Sequence, residues 1–243
     1  MNPTIELLHR HRSIRRYTDQ VVPDEALREA VAAGQAASTS SAIQSYCVIH
    51  VRDMAKRRRL VELTGNQEKV AACGAFLAVC GDTRRHRLAA ARDGKTYDAR
   101  FEAFLLAVID ASLFAQNMVV ALESMGYGIC YIGGLRNRPF EVDELLDLPE
   151  GVHPIFGLCV GVPAEAPAAR PRLPVDAVLF DDAYPDDPAV LAELERYDTA
   201  YERYLVERGA EPRRWSSIMA DKFTSPVRAD QAAYHRAKGA RLD

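Results

Sequence analysis

No Gly-x-Gly-x-x-Gly follows a strand-like run in this 243-residue chain. Gly126-Tyr127-Gly128 comes after a helix-like stretch and has no third glycine at the right place, which excludes a Rossmann dinucleotide site. A Gly-x-x-x-x-Gly-Lys-Ser/Thr phosphate loop is missing, and so is the Gly-x-Ser-x-Gly elbow of an α/β-hydrolase. The six histidines show no His-Glu-x-x-His or comparable spacing, and His9 and His11 stand two apart, wrong for one helix face, so no metal site is expected. The five cysteines, Cys47, Cys73, Cys80, Cys130 and Cys159, form no Cys-x-x-Cys pair and sit among apolar neighbours. They read as buried, reduced thiols and not as a disulfide framework or zinc site. Surplus positive charge is absent too: 31 Lys and Arg against 34 Asp and Glu leave a net charge of −3, against a nucleic-acid partner. The start, Met1-Asn2-Pro3-Thr4-Ile5-Glu6, lacks the basic-then-apolar order of a signal peptide, and a cytoplasmic location is expected. In the longest apolar stretch, 101–125, Glu102, Asp110 and Glu123 interrupt, and the uncharged run 111–122 falls short of the ~20 residues that span a bilayer. A core helix is expected there, and no membrane partner.

What is present reads as a mixed body followed by an extension. A short helix is expected over 4–9 with Thr4 as its cap, and a second from Pro23-Asp24-Glu25 to residue 36. Strands are expected over 45–52, 73–80, 129–135 and 154–162, and helices over 53–64 (Asp53 capping, Gly65 stopping) and 140–146. The polar stretch 83–98 has no apolar period and reads as a long loop or lid. The segment 101–125 is apolar nearly all round, so it belongs at the centre of the fold or in a subunit interface. Pro163, Pro167, Pro171 and Pro174 then mark an extended strap, with helices after it at 188–207, 215–223 and 228–238. The division expected is a core over 1–162 and a strap with helical extension over 163–243, both of one domain.

Four local patterns carry chemistry. His11-Arg12-Ser13-Ile14-Arg15-Arg16 is either an anion clamp, with guanidinium forks matched to phosphate oxygens, or a solvated basic turn. Ser38-Thr39-Ser40-Ser41 offers hydroxyl donors before a strand, or is a polar turn. Tyr131-Ile132-Gly133-Gly134 ends an apolar run in two glycines, which lets backbone amides approach a flat ligand or simply makes a tight turn. Ala169-Arg170-Pro171-Arg172 puts two arginines on a stiff strap or a solvated linker. Two further basic runs, Lys56-Arg57-Arg58-Arg59 and Arg84-Arg85-His86-Arg87, read as solvated surface, though the second can overhang a pocket. With no Rossmann or metal motif, any redox chemistry needs an organic cofactor held another way.

Taken in order, these patterns resemble the oxygen-insensitive NADPH nitroreductase and flavin reductase family. The specific pieces are His11-Arg12-Ser13-Ile14-Arg15, Tyr131-Ile132-Gly133-Gly134-Leu135-Arg136-Asn137, Phe156-Gly157-Leu158-Cys159 and Pro171-Arg172-Leu173-Pro174. The resemblance implies an α+β sandwich with a central, mostly antiparallel sheet flanked by helices, in an intertwined homodimer with a C-terminal extension. It implies FMN held by His11, Arg12, Ser13, Ile14, Arg15, Ser38, Thr39, Ser40, Gln67, Lys69, Tyr131, Ile132, Gly133, Gly134, Arg170 and Arg172. Arg170 stands where the family usually has lysine. NADPH is the implied electron donor, with Arg208 and Arg213 at positions that meet its extra phosphate. The implied activity is two-electron, ping-pong reduction of nitroaromatics and quinones with no obligatory catalytic side chain. A flavin reductase, or a non-catalytic flavin-binding protein of the same fold, are the alternatives. Ser225 and Ala42 depart from the family pattern, at positions that relatives fill with an arginine and a bulkier aromatic residue.

Overall fold

A computed structural model describes residues 2–243. Its first turn departs from expectation. Asn2, not Thr4, caps α1 (Pro3–His9): its side chain accepts the Thr4 amide at 2.9 Å, and Pro3 takes the first helical position. The helix α2 (Asp24–Gln35) follows as expected, with Asp24 and Glu25 in its first turn. Asp53 caps α3 (Met54–Leu63) by accepting the amides of Ala55 and Lys56, and Gly65, at φ +85°, turns the chain away. A single-turn helix, α4 (Lys69–Ala72), leads into the sheet's interior.

The sheet has four strands, β1 (Tyr46–His50), β2 (Ala75–Asp82), β3 (Gly128–Ile132) and β4 (Val152–Gly161), in the order β1-β2-β4-β3 with every neighbour antiparallel. Both central strands are buried on both faces, which is why 73–80 reads as a continuous apolar run. Pro154 is tolerated in a central strand because it sits at a register shift opposite Val79/Cys80. Alternate residues of β2 separate two cores. Leu77 and Val79 pack with α2 and the long helix α6 (Phe101–Ser124), while Phe76, Ala78 and Cys80 pack with α3 and α7 (Pro139–Leu146). The close approach of α2 to α6 needs Gly34, where a Cβ would lie 2.7 Å from the Phe114 ring.

Two further sequence expectations are corrected. The stretch 83–98 is no structureless loop: α5 (Arg84–Arg92) occupies its first half, started by Asp82, whose carboxylate accepts the Arg84 and Arg85 amides. No residue of α5 is buried, so it leaves no apolar period in the sequence. The strand expected over 129–135 stops at Ile132, and Gly133 opens a tight 3₁₀ turn instead.

The helix α6 is long and apolar enough to cross a membrane, yet it lies across the sheet with Ala111, Phe114, Met118 and Leu122 buried. It is not covered all round. Phe101, Leu105, Ile109 and Leu113, four apart, stay 36–47% exposed as one stripe along its other side.

The chain divides into two units, 1–167 with 228–243, and 168–227. The first carries the sheet together with α10 (Gln231–Ala237). The second holds α8 (Asp187–Glu207) and α9 (Trp215–Lys222), joined where the buried Asp198 accepts the Ser216 amide at 2.8 Å and its hydroxyl at 2.5 Å.

Candidate functional site

The basic hexapeptide lies along the free edge of β3. Ile14 donates its amide to the Ile129 carbonyl at 2.8 Å, and its side chain is buried, so it anchors the segment instead of presenting a polar group. Gly128 makes this possible, since a Cβ there would come within 2.6 Å of Ile14. Glu165 ties the segment down from outside, accepting the amides of Arg15 and Arg16 and the Arg16 guanidinium. His11 is turned inward, its Nδ1 2.7 Å from a Glu123 carboxylate oxygen on α6. The guanidinium groups of Arg12 and Arg15 meet no carboxylate among the described residues; they donate only to carbonyls of their own segment, His9, His11 and Ser13. Two guanidinium groups bonded only to carbonyls remain unneutralised and can still take an anion.

Lys69 joins this cluster from the other side. Its carbonyl accepts the thiol of Cys159, the β4 neighbour of Cys130 on β3, and while burial pushes the Cys130 thiol up, the charges of Arg15 and Lys69 act against it. The turn that leads to Lys69 packs onto the diglycine. A Cβ on Gly134 would lie 2.5 Å from the Thr64 carbonyl oxygen and 2.6 Å from the Gln67 side-chain Nε2, so glycine is required there. Gly133, one residue earlier, has open space, with only the guanidinium tips of Arg136 and Arg228 at 3.5 and 3.7 Å from an added Cβ. Tyr131 stands partly exposed beside it, edge-on to Phe156 at 5.1 Å.

Arg136 and Arg228 went unassigned in the sequence. Burial, and then the neighbouring Arg228 charge, lower the Arg136 pKa. Arg228 has φ +58° and is held by the Asn137 side chain at 2.9 Å. Arg136 directly follows the Gly-Gly-Leu motif and so was within reach of sequence reasoning. Arg228 was not, because only the return of the C-terminal segment brings it to Gly133.

The hydroxyl run does not join this cluster. Ser38, Thr39 and Ser40 precede β1, at the sheet edge opposite β3, with two strands between, roughly 14 Å at ordinary strand spacing. The loop is strained, with Ser41, Ala42 and Gln44 all at positive φ near 50°. Asp110, fully buried in α6, holds it by accepting the amides of Ser40 at 3.3 Å and Ser45 at 3.0 Å.

Arg170, Arg172, Arg208 and Arg213 all lie in the second unit. There, Arg170 and Arg208 converge on Tyr204. Burial opposes ionisation of that phenol, yet the neighbouring guanidinium groups of Arg170 and Arg208 outweigh burial and lower its pKa. Arg208 donates to the Tyr204 hydroxyl at 3.1 Å. Arg172 turns back onto the Arg170 and Pro171 carbonyls, and Arg213 pairs with Asp221 at 2.8 Å.

Residues 8–162 match the model of the Nitroreductase family, and residues 170–243 that of the Nitroreductase family, C-terminal domain. The chain is 41% identical over 247 residues to an FMN reductase (NADPH) of Bacillus subtilis, covering 98% of each. It is 44% identical over 219 residues to an oxygen-insensitive NADPH nitroreductase of Salmonella typhimurium, covering 89% of each. Among solved structures, the NADPH:FMN oxidoreductase from Vibrio harveyi complexed with NAD+ superposes with a TM-score of 0.90 at 36% identity, over 98% of this chain and 99% of that one.

Proposed function

The chain belongs to the nitroreductase family, and from that premise we propose that it is an FMN-dependent NADPH oxidoreductase of nitroaromatics and quinones, working as a cytoplasmic homodimer. The observation that carries the cofactor assignment is the open face at Gly133, flanked by Arg136 and Arg228, which meet no carboxylate among the described residues. A flat ring needs a backbone without a Cβ, and a phosphate needs unneutralised donors; the free edge of β3 supplies both. FMN, when bound, supplies a two-electron relay from NADPH to the acceptor.

The residues around it have separable tasks. Arg12, Ser13 and Arg15 hold the phosphate and ribityl chain. His11, fixed on Glu123, orients the start of the clamp. Gln67 and Lys69 meet the pyrimidine edge, where the positive charge of Lys69 favours the arrival of electrons. Tyr131 to Gly134 line the ring. The hydroxyls of Ser38, Thr39 and Ser40 stand too far from this edge in their own protomer, and a second copy supplies them. The exposed Phe101–Leu105–Ile109–Leu113 stripe is the apolar surface such a copy covers.

The test is direct. Purified protein should show absorbance near roughly 370 and 450 nm from flavin, bleach anaerobically with NADPH, and give parallel lines in initial-rate plots. A colourless protein that does not take up added FMN overturns the reading. The name of the Bacillus subtilis relative favours one second reading, an NADPH-dependent FMN reductase. Turnover on free FMN far above that on nitrofurazone and quinones would select it.

A further inference from the structure

The basic run at 84–87 is split by its helix. Arg85 turns to Asp82 and the Tyr46 carbonyl, and His86 to the Ile43 carbonyl at 2.7 Å. Arg84 and Arg87, three apart, share the opposite face with Leu88 and Ala91. That face is one wall of a cleft of about 660 Å³. Lys95 and Tyr97 of the following loop form a second wall, and Arg236 and Arg241 of the C-terminal segment a third. None of these residues belongs to the clamp, the diglycine turn or the strap.

The charge in this cleft is lopsided. Five cations line it against one carboxylate, Glu150, which pairs with Arg87 at 2.6 Å. The other terminal nitrogen of Arg87, Nη1, is buried with no hydrogen-bond partner. Arg84 reaches only the Glu150 carbonyl at 3.3 Å, and Lys95 and Arg236 meet no carboxylate among the described residues. Asp98 lies within the field of Arg241, but Arg100 occupies both of its oxygens. A concavity walled by one sign of charge concentrates its field and draws in counter-ions. Leu88, Ala91 and the ring of Tyr97 add an apolar side, so the complement is an anion attached to a flat, partly apolar body.

We propose that this cleft binds a nucleoside phosphate at a site separate from the flavin, with Arg84, Arg236 and Arg241 on the phosphate and Leu88 and Tyr97 against the base. The volume suits such a ligand, since small-molecule pockets run from about 300 to 1,000 Å³. The site does not depend on the proposed redox activity, and its occupation leaves the flavin in place.

AMP is the probe, titrated calorimetrically into flavin-loaded protein, with adenosine as the uncharged control. Binding should be one AMP per chain, weaken with added salt, and exceed that of adenosine by about tenfold or more. The double variant R236A/R241A, at exposed positions, should keep its flavin absorbance and melting temperature and lose about tenfold or more in AMP affinity. In R208A/R213A, AMP affinity at this site should match wild type, which separates it from any nucleotide contact on the second unit. Equal affinity for AMP and adenosine, or AMP binding unchanged in R236A/R241A, overturns the proposal. So does AMP binding that is lost in R208A/R213A.

Discussion

His153 of β4 and His235 of α10 face each other in the interior with their Nδ1 atoms 3.2 Å apart, and Phe104 packs against both rings. One nitrogen must donate and the other accept, so the two rings cannot both be charged in the fold. Burial, then the partner ring and the charges of Lys238 and Arg87, lower His153 to about 3. Burial, then Arg136, lowers His235 to about 4. In the unfolded chain both return to about 6.5. Between those limits the unfolded state binds more protons, so stability falls as pH drops through 6.5 and levels off below the folded values. At pH 5 each ring costs about 2 kcal/mol relative to neutral pH. Urea midpoints measured from pH 8 to 4.5 should therefore fall steeply below pH 6.5, and H235L should flatten the curve. An unchanged slope in that variant would show that the pair does not carry the acid sensitivity.

Much of this fold was legible because its signals are local. Asp53 before 54–63 and Gly65 after it bracket a helix whose capping bonds involve only adjacent residues. The buried run of β2 needed no partner to be recognised. The helix α5 was illegible because it buries nothing, and periodicity reports burial, not helicity. At the site, the clamp and the diglycine were visible as short motifs, whereas Arg228 reaches Gly133 only through the return of the C-terminal segment. Asp110 looked like an interruption of an apolar helix. Its role, binding the Ser40 and Ser45 amides, depends on a loop 65 to 70 residues away and left no mark in the spacing.

The two glycines of the 3₁₀ turn should respond differently to alanine. At Gly134 the new methyl meets a backbone oxygen at 2.5 Å, which cannot give way, so G134A should lose about 1–3 kcal/mol of stability. At Gly133 the methyl meets only mobile guanidinium tips, so G133A should melt as wild type and bind FMN more weakly. Thermal melts of the flavin-free proteins, paired with flavin fluorescence titrations, separate the two effects. Equal melting temperatures would contradict the packing argument.

The exposed α6 stripe makes the proposed homodimer testable at single positions. Ile109 and Leu113 are 40% and 45% exposed in the isolated protomer. If a second copy covers them, an aspartate at either position buries an unpaired charge in the interface. I109D and L113D should then sediment as monomers, with circular dichroism like wild type and little bound flavin, because the Ser38–Ser40 hydroxyls no longer arrive from the partner. Wild-type protein sedimenting as a monomer with full flavin would remove the need for a partner altogether.

Coenzyme preference should reside in Arg208 and Arg213, and their present partners say how. Arg208 stacks on Tyr204 at 5.4 Å and donates to its hydroxyl, so it is pre-positioned and loses little side-chain freedom on binding. Arg213 is held by Asp221, but both side chains of that pair are more than half exposed. An ion pair so solvated contributes about 0–1 kcal/mol, less than a charge-assisted bond to phosphate at about 1.5–3 kcal/mol, so Arg213 can leave Asp221 for a ligand. R208A should therefore lower kcat/KM for NADPH by about tenfold or more while leaving NADH within about twofold. D221A should act in the opposite direction, raising the NADPH:NADH ratio by freeing Arg213. Equal losses with both coenzymes in R208A would assign these arginines to folding of the second unit, and the preference to residues elsewhere.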